Sequence, residues 1–112
     1  MFVDDADHLW VADYSNNRVL RFDNASTLTS GAAASAVLGQ PDLTSNTYGP
    51  SQTLMNGPNR VTVDSMGTLW VIEYTTSRLL GYYNAASKAN GAPADVVLGQ
   101  TDFDSGSSGG TE

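Results

Sequence analysis

Short apolar runs separated by polar turns recur along the chain. Two of them, Leu9–Asp13 and Leu69–Glu73, begin with Leu-Trp-Val and stay apolar for four residues. A continuous run rich in β-branched and aromatic residues indicates a strand that is buried on both faces. The other runs predict further strands at Met1–Asp4, Arg18–Phe22 and Ala36–Gly39, and again at Arg60–Asp64, Arg78–Tyr83 and Val96–Gly99.

These runs belong to one internal repeat with a constant offset of 60 residues. Between residues 3 and 45, 19 of 43 positions are identical to the residue 60 further on, without a gap. Each repeat therefore contains the same four predicted strands. We assign the first repeat to 1–52, the linking loop to 53–60 and the second repeat to 61–112.

The turns differ slightly between the repeats. Asp64-Ser65-Met66-Gly67 is typical of a type I turn, with Gly where the backbone often needs a positive φ. The first repeat has Asp7 at that place, and Asp enters the left-handed region more easily than most residues. The connectors 24–35 and 84–95 carry few apolar residues, and each predicts a loop or one short helical turn.

Four-stranded sheets that recur at a fixed period and are buried on both faces are typical of β-propeller blades. In that arrangement Trp10 and Trp70 are structural residues that pack against a neighbouring blade. The sequence therefore predicts an all-β fold made of two four-stranded antiparallel blades.

The motifs resemble those of the NHL repeat family. Val63-Asp64, Gly67 and Leu69-Trp70-Val71 are similar to its first two strands, and the segment from Asp13 to Phe22 is similar to its Asp-x-x-Asn-Asn-Arg-Val core. Gly57-Pro58, the repeated Val-Leu-Gly-Gln and the adjoining Pro41-Asp42 resemble a long-period bacterial subgroup whose members are often exported. The resemblance implies a six-bladed propeller and an extracellular or cell-surface location, although the first residues do not form a signal peptide.

Two blades cannot close a ring, and isolated blades leave apolar side chains in water. Each exposed large side chain forgoes about 1.5–3 kcal/mol of burial. The expected partners are therefore further copies of this chain, joined head to tail as a trimer or filament, or flanking blades of a longer chain. The sequence leaves these alternatives open.

Composition removes several classes of function. The formal charge is −7, with 5 basic residues against 12 acidic ones, and there is no cysteine. The five basic residues are scattered along the chain and do not form a basic patch, which argues against nucleic acid and anionic membrane as partners. Disulfides, thiolate metal sites and cysteine nucleophiles are excluded.

The candidate chemistry is sparse. Asp13 with Arg18, and Glu73 with Arg78, stand five apart across a tight turn and predict ion pairs between neighbouring strands. Ca²⁺ is the one cofactor considered, because carboxylates are its preferred ligands. In a closed ring the carboxylates near the central channel would be weak candidates to bind it: Asp4, Asp13, Asp64 and Glu73. Turn capping explains the same residues without a metal, so no metal or other cofactor is expected.

Four further side chains carry minor expectations. Tyr14 and Tyr74 begin exposed turns, where aromatic rings suit contact with a sugar or peptide but also pack against a neighbouring blade. Asn24-Ala25-Ser26 is an N-glycosylation sequon. His8 is the single histidine and, without partners for zinc or triad chemistry, is interpreted as a surface residue.

The sequence favours a non-catalytic scaffold that binds a protein, peptide or glycan, with no catalytic residue. The first alternative is a subunit of an extracellular filament assembled head to tail. The second is a fragment of a propeller enzyme of the lyase or lactonase type.

Overall fold

A computed structural model of the chain describes residues 1–47, 49, 51–74 and 76–104. Sheet 1 contains β1 (Phe2–Val3), β2 (Leu9–Asp13), β3 (Arg18–Phe22) and β4 (Ala36–Leu38), and sheet 2 contains β5 (Pro58–Val63), β6 (Leu69–Glu73), β7 (Arg78–Tyr82) and β8 (Val96–Leu98). In each sheet the strands lie in chain order and every neighbouring pair is antiparallel. The described residues include no α-helix, only three-residue 3₁₀ turns at Tyr14–Asn16, Ala25–Thr27 and Ala85–Ser87. The protein is therefore all-β, with two antiparallel four-stranded sheets.

The observed strands match the predicted ones to within two residues at each end. The largest difference is β5, which begins at Pro58 rather than Arg60 and carries a register shift between these two residues. Proline has no N–H to donate and is tolerated at the first residue of an edge strand, so the last residues of the predicted linking loop join the sheet. Strands β4 and β8 stop before Gly39 and Gly99, because both glycines have a positive φ, +89° and +87°.

The turn predictions are confirmed. Asp7 has a φ of 64° at the place where Gly67 has 82°. The connectors form the short helical turns Ala25–Thr27 and Ala85–Ser87, each preceded by an asparagine in the left-handed region, Asn24 or Asn84. The offset of 60 residues thus preserves backbone conformation even where the side chain changes.

Each sheet has two different faces, because successive residues of a strand point to opposite sides. We call the face that carries Trp10 or Trp70 the tryptophan face, and the opposite one, which carries Leu9 or Leu69, the leucine face. The ladder register places these residues on the tryptophan faces: Trp10, Ala12, Val19 and Leu38 in sheet 1, and Trp70, Ile72, Leu79 and Leu98 in sheet 2. The leucine faces carry Leu9, Val11, Leu20 and Phe22 in sheet 1, and Leu69, Val71, Leu80 and Tyr82 in sheet 2.

The core lies between the two sheets. It joins the tryptophan face of sheet 1 to the leucine face of sheet 2 in one apolar cluster, which also includes Met55 from the linking segment. Trp10 is only 1% exposed, whereas Trp70 is partly exposed. The prediction that β2 and β6 are buried on both faces is therefore confirmed for the inner face of each sheet only. In the part of the chain that the structure describes, no further sheet covers the outer faces.

Candidate functional site

An aspartate–tryptophan pair organises the first turn of each repeat. The side chain of Asp4 accepts hydrogen bonds from the backbone N–H groups of Ala6 (2.9 Å) and His8 (3.0 Å), and its second oxygen accepts one from the indole Nε1 of Trp10 at 2.9 Å. Asp64 accepts the same three kinds of bond, including one from Nε1 of Trp70 at 3.0 Å. In each repeat the aspartate thus holds the turn and the edge of the indole together, with the indole buried at Trp10 and partly exposed at Trp70.

These bonds also set the charge state of the turns. The indole of Trp70 and the backbone N–H groups of Thr68 and Met66 lower the pKa of Asp64 below its usual value. At Asp4, burial raises the pKa, but the hydrogen bonds from Trp10, His8 and Ala6 outweigh it and the net direction is downward. Both carboxylates are therefore ionised acceptors at neutral pH. Sequence reasoning missed these pairs, although the six-residue Asp-to-Trp spacing in both repeats was a visible signal.

His8 is less exposed than expected. Its Nδ1 lies 2.9 Å from Oδ2 of Asp4, its Nε2 lies 3.9 Å from Oδ1 of Asp23, and 21% of the side chain is accessible. Its ring also meets Trp10 edge to face, with centroids 6.3 Å apart. The interpretation of His8 as a plain surface residue is therefore corrected: its ring contacts the Asp4 carboxylate and Trp10, the two groups that organise the first turn.

An open cleft of about 340 Å³ lies between the first turns of the two repeats. Asp4, His8 and Trp10 line one side, and Asp64 and Ser65 line the other. The side chains of Asp4, Trp10 and Asp64 are already engaged in the turn bonds. The cleft is acidic and partly aromatic, properties that suit a cationic or polar group of a ligand.

The predicted ion pairs are both present but differ in depth. Nε of Arg18 lies 2.8 Å from Oδ2 of Asp13, and both side chains are partly exposed. Arg78 and Glu73 form the same pair with no accessible side-chain surface. Arg78 also donates to the carbonyl oxygens of Ser51 (2.9 Å) and Leu54 (2.9 Å). The second pair therefore anchors the linking segment to sheet 2, which makes its role structural.

The four carboxylates considered for Ca²⁺ all have protein partners. Asp4 and Asp64 bind tryptophans, Asp13 binds Arg18 and Asn16, and Glu73 binds Arg78, Thr76 and the backbone of Asn56. In the part of the chain that the structure describes, no three acidic or histidine side chains form a group able to hold a metal ion. The structure does not bring these four residues together.

Tyr14 and Tyr74 are 52% and 76% exposed, each directly after the second strand of its repeat. They remain outside the core and accessible to a ligand. Asn24, the residue of the glycosylation sequon, is also exposed, and the hydroxyl of Ser26 in that sequon donates to Asp7 at 2.7 Å.

The two outer faces of the sheets carry exposed or partly exposed apolar side chains. Beside Trp70 on sheet 2, a recess of about 450 Å³ is lined by Arg60, Val61, Thr62, Trp70, Ile72 and Leu79. On the leucine face of sheet 1, Leu9, Val11, Leu20 and Phe22 are partly exposed, whereas their sheet 2 counterparts have no accessible surface. An exposed apolar sheet face of this kind is a candidate interaction surface.

No protein-family model matches this sequence, and no curated protein matches it. None of the described residues lies in a helix that has the length and apolar character to cross a membrane.

Proposed function

We propose that this chain is a pair of consecutive β-propeller blades of the NHL type that acts as a non-catalytic scaffold or binding module. The observation that supports this best is the packing of the sheets: the tryptophan face of one lies on the leucine face of the next, so the pair begins and ends with unlike apolar faces. Blades around a propeller need this arrangement, because each one must cover a different face of its two neighbours.

The binding surfaces in this proposal are turns at the two opposite ends of β2 and β6 rather than a catalytic pocket: the tyrosines follow these strands, and the cleft lies beside the turns that precede them. Tyr14 and Tyr74 supply exposed aromatic rings for a sugar or peptide, and the acidic cleft between the first turns supplies negative charge. The described ion pairs and carboxylates act within the fold, which favours binding over catalysis. An extracellular or cell-surface location in a bacterium, with Asn24 as a modification site only where the source glycosylates, belongs to the same proposal.

A tandem protein tests the propeller. Three copies would be joined through an added eight-residue segment that repeats residues 53–60, which restores the 60-residue period from one copy to the next. A closed six-blade ring buries the outer faces, so we expect a monodisperse tandem whose thermal midpoint exceeds that of the single chain and is independent of concentration. Three independent two-sheet domains would unfold at the midpoint of the single chain, and this result would contradict the proposal.

The ligand is tested separately. A peptide and glycan array probed with the chain should lose its signals when Tyr14→Ala and Tyr74→Ala are combined, while far-ultraviolet circular dichroism stays unchanged. Signals that survive the double substitution would show that the ligand binds at a surface that does not include these tyrosines.

The filament is the second candidate function, and the unlike outer faces favour it as well. A head-to-tail contact gives a ring when the rotation closes and an open series when it does not. Electron microscopy of the concentrated single chain distinguishes the two: closed particles support the ring, and fibres of indefinite length support the filament.

A further inference from the structure

The contact between the two sheets serves as a template for a contact between two molecules. On the sheet 1 side of the internal interface, Trp10, Val19 and Leu38 are almost fully buried. On the sheet 2 side, Leu69, Val71, Leu80 and Tyr82 have no accessible surface. The same two kinds of face, carried by residues 60 positions away, are the ones left open at the ends of the chain.

The exposed fractions of equivalent side chains identify the residues whose face has no neighbouring sheet in the described structure. Leu98 is 47% exposed, whereas its counterpart Leu38 is 3% exposed. Val3, on the leucine face of sheet 1, is 57% exposed, whereas its counterpart Val63 packs against the core. The open faces therefore match the two sides of an interface that this sequence already forms.

Two contacts of the β4 backbone cross the internal interface, and some of the residues involved have counterparts at the open ends. The N–H of Val37 on β4 donates to the Asn90 side chain at 3.0 Å, and its carbonyl oxygen accepts from the N–H of Gly91 at 3.1 Å. The corresponding residues at the open ends are Val97 on β8 and Gly31. Gly31 shares the positive φ of Gly91, 85° against 72°, and a Cβ built on Gly31 meets no atom within 4 Å. The connector of a neighbouring molecule thus has room to approach β8.

The open faces are not identical to the buried ones. Ile72 stands in place of Ala12 and adds volume, and Gly81 stands in place of Arg21 and removes it. Arg21 donates to the carbonyl oxygen of Ala86 across the internal interface at 2.6 Å, a bond that Gly81 cannot make. We therefore expect the intermolecular contact to be more apolar than the internal one.

We propose that a second copy of this chain docks the leucine face of its sheet 1 onto the tryptophan face of sheet 2, repeating the internal interface. The carbonyl oxygen of Val97 then accepts a hydrogen bond from the N–H of Gly31 of the neighbouring copy. This proposal rests on the proposed function, because it names the partner of the outer faces. Each copy carries a net charge of −7, so screening by salt strengthens the association.

The test uses variants that block one end each. Leu98→Lys places a charge on the tryptophan face and Val3→Lys places one on the leucine face, and both residues are already exposed in the single chain. Met66→Lys is the matched control, because Met66 is 81% exposed in a turn outside both faces. Sedimentation velocity at concentrations up to millimolar, at low and high salt, measures the association.

The wild type and Met66→Lys should form higher species that increase with salt. Each blocked variant alone should be monomeric, with association weakened at least about tenfold. A mixture of the two blocked variants should form a one-to-one dimer, because each retains the face that the other has lost. Ile72→Lys should behave as Leu98→Lys does, and circular dichroism checks that every variant is folded.

Two results would overturn the proposal. A wild type that stays monomeric at all concentrations and salt levels shows that the faces do not bind a second copy. A folded blocked variant that dimerises alone shows that like faces meet instead. If the single chain is monomeric while the covalent tandem is stabilised, the scaffold proposal stands and only self-docking fails.

Discussion

Replacement of Arg78 by Met should destabilise the protein far more than the equivalent replacement of Arg18. Both arginines pair with a carboxylate five residues earlier across the same turn, with Glu73 and Asp13 respectively. The side chains of Arg78 and Glu73 have no accessible surface, whereas those of Arg18 and Asp13 are 18% and 24% exposed. The two pairs thus compare one interaction in two environments.

The expected magnitudes follow from burial. Loss of one partner from a buried ion pair leaves an uncompensated charge and costs about 3–5 kcal/mol. Arg78→Met also leaves the carbonyl oxygens of Ser51 and Leu54 without their donor. The partly exposed Arg18 pair contributes at most about 1 kcal/mol, because water solvates the carboxylate of Asp13 when its partner is removed. The difference between the two variants should therefore be at least about 2 kcal/mol.

Urea unfolding followed by circular dichroism, at one protein concentration, measures this difference. With an m-value of about 2 kcal/mol/M, the midpoint should fall by about 2 M for Arg78→Met and by about 0.5 M or less for Arg18→Met. The double variant Glu73→Gln/Arg78→Met should recover part of the loss, because no unpaired charge stays buried. Equal small shifts for the two single variants would refute the claim that burial distinguishes the pairs.

Three further outcomes are expected from urea midpoints. Gly39→Ala should destabilise by about 1–3 kcal/mol more than Gly67→Ala, because both have a positive φ but only at Gly39 would a Cβ come within 2.6 Å of Met55; equal losses would contradict this. Hydrogen bonds lower the pKa of Asp64, so its stabilisation is complete above its usual pKa of 3.8 and is lost as the pH falls below it; Asp64→Asn should therefore flatten the acid side of the profile, and an unchanged slope would count against it. Tyr82→Phe should be neutral or stabilising by about 1 kcal/mol, because the buried hydroxyl of Tyr82 has no hydrogen-bond partner in the described structure and Phe22 fills the same position in the first repeat; a clear loss of stability would reveal a partner.

Much of the fold was predictable because it depends on local patterns. The apolar runs fixed the strands, and the turn residues Asp7 and Gly67 indicated a positive φ that the structure confirms. The ion pairs of Arg18 and Arg78 followed from their position across a two-strand turn. Each of these features depends on residues close in sequence, and the repeat provided a second, independent instance of each.

How deeply each side chain is buried was not predictable from the sequence. Trp10 and Trp70 stand in nearly the same sequence, yet the first is buried and the second is partly exposed. Burial depends on which face of a sheet meets a neighbour, and that is decided by the order of the repeats in space rather than by the strand itself. The pairing of Asp4 with the Trp10 indole was also missed. The six-residue Asp-to-Trp spacing recurs in both repeats, but a continuous apolar run predicts burial of the whole ring and not a hydrogen bond from its nitrogen.

The open faces follow from the repeat itself. Two sheets that repeat the same strand order, and that pack with unlike faces together, must leave one face of each kind at the two ends. Among the residues that the structure describes, sheet 1 has only sheet 2 to pack against and already covers one of its faces, so both outer faces stay open there. The surplus apolar surface favours association, while a charge of −7 on each copy opposes it. From the balance between these two terms we expect the stability of this chain to depend on its concentration and on salt, two variables that leave an isolated, self-contained domain almost unchanged.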